Sequence, residues 1–206
     1  MRKVIIRDRR KIPPFNEPAR ELRILNKPLW LLQRDLLASY CETEIEINSA
    51  LEMPLDRVET LVYRDNLFFD EAFLAEFISQ ARKLKRACRV AFSPEDQAIT
   101  IHALPLQEGI RRMGDVWVAD MWYFPRGASE EPTPLVIDTQ SRELGYYHIP
   151  TYMAAEKGDL VFHVPYRAFL SIENWVHAWM ANSPFGIFAI GNRVEMSLER
   201  LDVQLK

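Results

Sequence analysis

The sequence predicts an α/β domain, a mostly parallel sheet flanked by helices with a strand-rich second half. Three observations predict it. Leu61-Val62-Tyr63 reads as a short apolar strand, Glu71 to about Lys85 as an amphipathic helix, and residues 88–92 as a second strand. Such a strand–helix–strand run implies parallel pairing through a crossover. Downstream, residues 98–104, 115–124, 135–138 and 160–164 read as further strands between turn-forming stretches such as Pro125-Arg126-Gly127. A chain of 206 residues with 48% hydrophobic residues builds one sizeable core, which argues for one domain over residues 1–206.

The elements follow in order. Val4-Ile5-Ile6 is an opening strand, followed by a polar, basic loop from Arg7 to about Glu21. Pro28 suits a first helical turn, and Leu29, Leu32, Leu36, Leu37 and Tyr40 make the apolar stripe of a helix. Glu44-Ile45-Glu46-Ile47 alternates as a short strand does. Asp70 is a good N-cap for the helix starting at Glu71, whose positions Phe73, Leu74, Phe77, Ile78, Ala81 and Leu84 share one face. Near the end, residues 172–180 predict a helix with Ile172, Trp175, Val176, Trp179 and Met180 on one side. Residues 187–190 predict a last strand, and a short helical tail closes the chain.

Composition narrows the function. A net charge of −3 leaves no electrostatic footprint for nucleic acid. The two cysteines, Cys41 and Cys88, are not in a C-x-x-C pair, which argues against zinc or a disulfide framework. No apolar run is long enough for a membrane span, and no signal-peptide core opens the chain, so the expected location is cytoplasmic. His102, His148, His163 and His177 lack metal-binding spacing. No serine has a G-x-S-x-G context. Homo-oligomerisation is left open.

Ligands of parallel sheets bind at the carboxyl ends of strands, where Arg64, Asp65 and Asn66 fall. From position alone, Asp65 serves equally as a hard oxygen ligand for Mg²⁺ or as a cap of the following turn.

Val62-Tyr63-Arg64-Asp65-Asn66-Leu67-Phe68-Phe69, followed by a helix and a strand, resembles the V-x-G-D-N-x-F segment of sugar-1-phosphate nucleotidyltransferases. Two more stretches resemble that family, in the right order. Val4-Ile5-Ile6, Pro14-Phe15, Arg20-Glu21-Leu22 and Asn26-Lys27-Pro28-Leu29 are similar to its opening. Ala189-Ile190-Gly191-Asn192-Arg193-Val194-Glu195-Met196 with Leu198-Glu199-Arg200 is similar to the segment closing the uridylyltransferase domain of the bifunctional N-acetylglucosamine-1-phosphate enzyme.

The resemblance implies a Rossmann-like sheet of the nucleotide-diphospho-sugar transferase type, with a further C-terminal domain able to follow. It implies transfer of a nucleotidyl group from a nucleoside triphosphate to a sugar 1-phosphate, giving NDP-sugar and pyrophosphate. In that reading Asp65 and Asn192 hold Mg²⁺, with Gly191 the alternative occupant of the second position. Arg20 is the catalytic cation, and Arg9, Arg10, Arg23, Asn66 and His148 face substrate. His148 on a Pro-bounded loop suits sugar stacking or core packing.

The departures point elsewhere. The family's Gly-rich phosphate loop is replaced by Arg7-Asp8-Arg9-Arg10-Lys11, which contains no glycine, and a backbone cradle for phosphate needs residues without Cβ. Basic side chains can hold phosphate as charge instead, or the loop is simply solvated. No Q-x-x-G-T-A base-reading segment is present, and the span between residues 47 and 65 is short for the family. The alternative is therefore an inactive relative serving as a scaffold or as a module binding an NDP-sugar or effector. A glycosyltransferase D-x-D is not formed, because Asn66-Leu67 supplies no second aspartate.

Overall fold

The computed structural model describes residues 1–54, 56–128, 131–148, 152 and 159–204. A mixed sheet forms its centre, from β1 (Arg2–Ile6), β2 (Thr43–Ile47), β3 (Thr60–Arg64), β4 (Cys88–Phe92), β5 (Arg111–Met113), β6 (Val116–Phe124) and β7 (Thr133–Val136). The order is β2-β1-β3-β6-β4-β7, with β5 paired to β6. β1 is parallel to β2 and β3, and β7 is parallel to β4. β6 is antiparallel to both β3 and β4, so β3 and β4 share a direction with β6 wedged between them. The predicted crossover from β3 to β4 exists, but it skips one place in the sheet.

Side-chain alternation divides the core between two faces. Ile5, Leu61, Tyr63, Val90 and Phe92 pack on one side against Leu29 and Leu37 of α1 (Leu29–Leu37) and Phe73, Leu74, Phe77 and Ile78 of α2 (Glu71–Leu84). Val4, Ile6, Ile47, Val62, Ala87 and Phe124 form a smaller cluster on the other side, to which no helix contributes a buried residue among the described residues. α2 begins where the sequence places it. The Asp70 carboxylate accepts the Phe73 amide at 2.8 Å, and Lys85 ends the helix in the left-handed region at φ 56°. Leu67–Phe69 pairs with Phe169–Ser171, and Phe73, Phe92 and Phe169 meet there with ring centroids 4.8–6.0 Å apart.

Two expected strands are helical. Ala98–Ala103 is a wide turn in which the Leu104 amide bonds the Ile99 carbonyl, five residues back. Its alternating Ile99 and Ile101 imitate a strand, yet Asp96 stands just ahead and accepts the Ile99 amide at 3.3 Å, a start signal that won locally. Residues 187–190 run from a helical turn, Ser183–Phe188, into α4 (Ala189–Gln204). Ile187 and Ile190 lie one helical turn apart and are both exposed, so no sheet recruits them. The predicted 172–180 helix starts later, as α3 (Trp175–Asn182), because Asn174 caps it. Its faces are also reversed: His177, Ala178 and Ala181 are buried while Trp175 and Trp179 are exposed.

The helical turn buries His102, whose Nε2 accepts the His163 amide at 3.0 Å. Burial, with His163 adding to it, pushes the His102 pKa from 6.5 down to about 4. The unfolded chain thus takes up a proton that the folded chain refuses. The contribution is complete above about pH 6.5 and is lost as pH falls toward 4. Linkage puts the loss between about pH 6.5 and about pH 5 at up to about 2 kcal/mol. Urea titrations of the native chain and of His102→Gln check this: the variant is expected to lose less stability over the same interval.

Candidate functional site

From β1 the chain moves out to β2 and returns on the opposite side of β1 to form β3. The crevice beyond the carboxyl ends of β1 and β3 is thus the topological switch point, where ligands of open α/β sheets bind. Of the three segments that the sequence reading brings to one rim, the ends of β1 and β3 meet here, whereas Gly191-Asn192-Arg193 lies in α4 and not at a strand end. The Asp65 amide donates to the Ile6 carbonyl at 3.0 Å, and the Asp8 amide donates to Asp65 Oδ1 at 2.7 Å.

Asp65 is 1% exposed, and its remaining oxygen is taken. Oδ2 lies 3.2 Å from Arg7 Nε and 3.3 Å from Arg20 Nη1. Burial raises the Asp65 pKa, while the Asp8 amide, Arg20 and Arg7 act against that rise. Gln33 of α1 fixes the turn from behind, donating to the Asp65 and Leu67 carbonyls at 3.2 and 2.6 Å. Arg20 also reaches Glu21 at 3.2 Å and Glu46 at 3.4 Å, and Arg7 reaches Glu46 at 2.7 Å.

The basic loop continues inward. Asp8 receives the Arg10 guanidinium and amide, and Arg10 Nη1 donates to Glu173 Oε2 at 2.9 Å. Burial opposes ionisation of Asp8, but the Arg10 donors and charge hold it below the usual carboxylate range. Glu173 behaves alike. Burial works against its charge, and Ser171 Oγ at 2.6 Å, the Glu108 amide at 3.0 Å, Arg10 and the Gly109 amide at 2.7 Å together pull its pKa down.

The other predicted residues are scattered. Arg9 donates to Asn48 at the exposed rim, and Asn66 is buried against Ser171 at 3.2 Å. Arg23 lines a separate groove with Phe15, Trp175 and Trp179. His148 ends the strand Arg142–His148, and its side chain lies outside the described residues. Asn192 sits in α4, not at a strand end. It is 3% exposed, and neither amide atom has a hydrogen-bond partner among the described residues. Its neighbour Arg193 pairs with Asp70 and the Tyr166 carbonyl, and among the described residues no hydrogen bond joins Asn192 to Asp65.

This donor set does not fit Mg²⁺. A small hard cation seeks free anionic oxygens in octahedral array, whereas both Asp65 oxygens face N–H donors, two of them on cations. Among the described residues no group of three acidic, histidine or cysteine side chains is arranged to hold a metal.

A second cluster escaped the sequence reading. Asp120 on β6 is 3% exposed and receives Arg64 Nε at 2.9 Å, Arg89 Nη2 at 2.6 Å and Arg111 Nη2 at 3.0 Å. One signal was available: Asp120 is the lone charge in Val116–Phe124, and an acid in an apolar strand needs partners.

No protein-family model matches this chain, and no curated protein matches it at a significant level. Solved structures do. A UDP-glucose pyrophosphorylase from Acinetobacter baumanii is similar over 100% of both chains, with a TM-score of 0.50 at 8% identity. A structure described as a glucose-1-phosphate thymidylyltransferase from Bacillus anthracis in complex with sucrose matches 60% of this chain and 71% of that one. Its TM-score is 0.37 at 9% identity, too loose to carry an argument. The chain therefore has a divergent sugar-1-phosphate nucleotidyltransferase-like fold, and at this identity the likeness extends to the fold alone. No helix among the described residues is long and apolar enough to cross a membrane.

Proposed function

We propose that this chain is a nucleotidyltransferase-fold module that does not carry out metal-dependent nucleotidyl transfer and keeps the fold as a scaffold or ligand-binding unit. One observation carries the reading: the carboxylate expected to hold magnesium is closed into a buried ion cluster by Arg7, Arg20 and the Asp8 amide. The phosphate loop supports it, since Arg7 and Arg10 spend their charge on Glu46, Asp65, Asp8 and Glu173. A loop of this kind offers little of the preorganised positive field that phosphoryl chemistry requires.

The competing reading is an active Mg²⁺-dependent enzyme making an NDP-sugar and pyrophosphate from a nucleoside triphosphate and a sugar 1-phosphate. The meeting of Ile6 and Asp65 at the switch point favours it. It requires Asp65 to release both arginines.

Calorimetry with UTP, dTTP or GTP, with and without Mg²⁺, together with a pyrophosphate-release assay on sugar 1-phosphates, separates the two. The expected result is no Mg²⁺-dependent heat and no pyrophosphate. Mg²⁺-dependent turnover that Asp65→Ala abolishes, in a variant that stays folded, overturns the proposal.

A further inference from the structure

The Asp120 cluster differs from the ion pairs around it, because three guanidiniums converge on a single carboxylate. Asp120 falls within the irregularity of β6 between Val118 and Trp122, and such bulges re-aim side chains. Arg89 is half-buried, held by the Ala119 carbonyl at 2.7 Å and lying over the Trp122 ring at 4.9 Å. Burial lowers its pKa. Asp120 counters this, and Arg111 and Arg64 push further down, as positive crowding demands.

Arg64 and Arg111 each give Asp120 one N–H. Both Nη groups of Arg64, and Nε and Nη1 of Arg111, have no protein acceptor among the described residues. Their side chains are 32% and 60% exposed, so these donors face an open space. That space is a cavity of about 210 Å³ lined by Arg10, Arg64, Glu108, Gly109, Arg111 and Asp120. It lies at the carboxyl end of β3, next to the switch point.

Its far wall is firmly held. Glu173 receives the Glu108 and Gly109 amides and the Arg10 guanidinium at once. Gly109 allows this approach, since a Cβ there would stand 2.6 Å from Glu173 Oε1. Among the described residues that line the cavity, Glu108 is the exposed acidic one, Asp120 being buried.

We propose that this cavity binds the phosphate group of a small phosphomonoester without a metal ion, through the free guanidinium donors of Arg64 and Arg111. The Nη1/Nη2 edge of Arg64 is a guanidinium fork that matches two phosphate oxygens, and Arg111 adds separate N–H donors. Asp120 holds the Arg64 and Arg111 guanidiniums in place and offsets one of the three charges that meet on it, while Glu108 on the rim offsets a second. The volume is below the roughly 300 Å³ at which pockets for drug-sized ligands begin, which favours a head group over a whole nucleotide.

The proposal goes beyond the absence of transfer chemistry and does not depend on it. Thermal shift and calorimetry on the full chain, with excess EDTA present, test it using inorganic phosphate, glucose 1-phosphate and UTP. At about 10 mM, phosphate and the sugar phosphate are expected to raise Tm by mass action. Arg111→Gln, at an exposed position, is expected to weaken binding at least about tenfold, as loss of charge-assisted hydrogen bonds requires. Arg64→Gln should do the same if it folds. Equal affinity for phosphate and sugar phosphate supports recognition of the head group alone. Tighter binding of the sugar phosphate supports recognition of the whole ester. No binding in EDTA, tightest binding by UTP, or undiminished binding by Arg111→Gln overturns the proposal. If pyrophosphate release fails to stay silent while phosphate still binds in EDTA, the proposed function falls and this site stands.

Discussion

Asp65→Ala is expected to lower the stability of the chain by about 3 kcal/mol, the lower end of the cost of breaking a buried pair. The change leaves the Asp8 amide without its acceptor and removes the carboxylate shared by Arg7 and Arg20. Two features keep the cost from the upper end. Arg7 is 31% exposed at its side chain, and Arg20 retains Glu21 and Glu46. For a chain of this size such a loss lowers Tm by about 6–12 °C. Asp65→Asn should fall between the two, because an amide oxygen can still accept the Asp8 N–H but brings no charge. Scanning calorimetry of the three chains checks the order. A ligand held open for a metal behaves in the opposite way, since like-charge strain and desolvation are relieved when it is removed. An Asp65→Ala chain with unchanged or raised Tm thus removes the closed ion cluster, and with it the reading of function.

The sequence carried the parts of the fold that local chemistry decides. Asp70 capping α2, the apolar stripe of that helix and the β3–β4 crossover all follow from spacing and rotamer-level preferences. Strand order does not. Nothing within Val116–Phe124 says that it will enter between β3 and β4 and run against both, because that choice is made by side chains from three segments packing together. The two misread helices fail for a related reason. Short apolar runs such as 98–104 and 187–190 fit a strand or a helix equally well, and caps and neighbours arbitrate.

The site divides along the same line. Asp65 and the basic loop stood out because their types and order are unusual, and the structure does bring Ile6, Arg7, Asp8, Arg20 and Asp65 together. What each charge does was hidden, since a pairing such as Arg10 with Glu173 spans 163 residues of sequence. Arg64 illustrates the difficulty. It stands where the resembled motif has glycine, and only the position of Asp120 shows what the added side chain is for.

Phe169→Ala is expected to cost about 4 kcal/mol, within the range for emptying an aromatic from a core. Phe169 is fully buried and contacts Phe73 of α2 at 4.8 Å and Phe92 of β4 at 5.2 Å between centroids, so it joins the helix layer to the sheet. The surrounding backbone cannot easily collapse into the space. Phe169 pairs with Phe69, and two residues on, Ser171 is tied to Glu173 and Asn66. Phe15→Ala provides the contrast: that ring is 50% exposed, and its loss should change stability by less than about 0.5 kcal/mol. Urea midpoints compared at one pH measure both. Because Phe169–Ser171 leads directly to the Glu173 anchor of the cavity wall, the Phe169 variant should also bind phosphate more weakly than the Phe15 variant while still folded. Equal urea midpoints for the two variants contradict the assignment of Phe169 to the junction of helix layer and sheet.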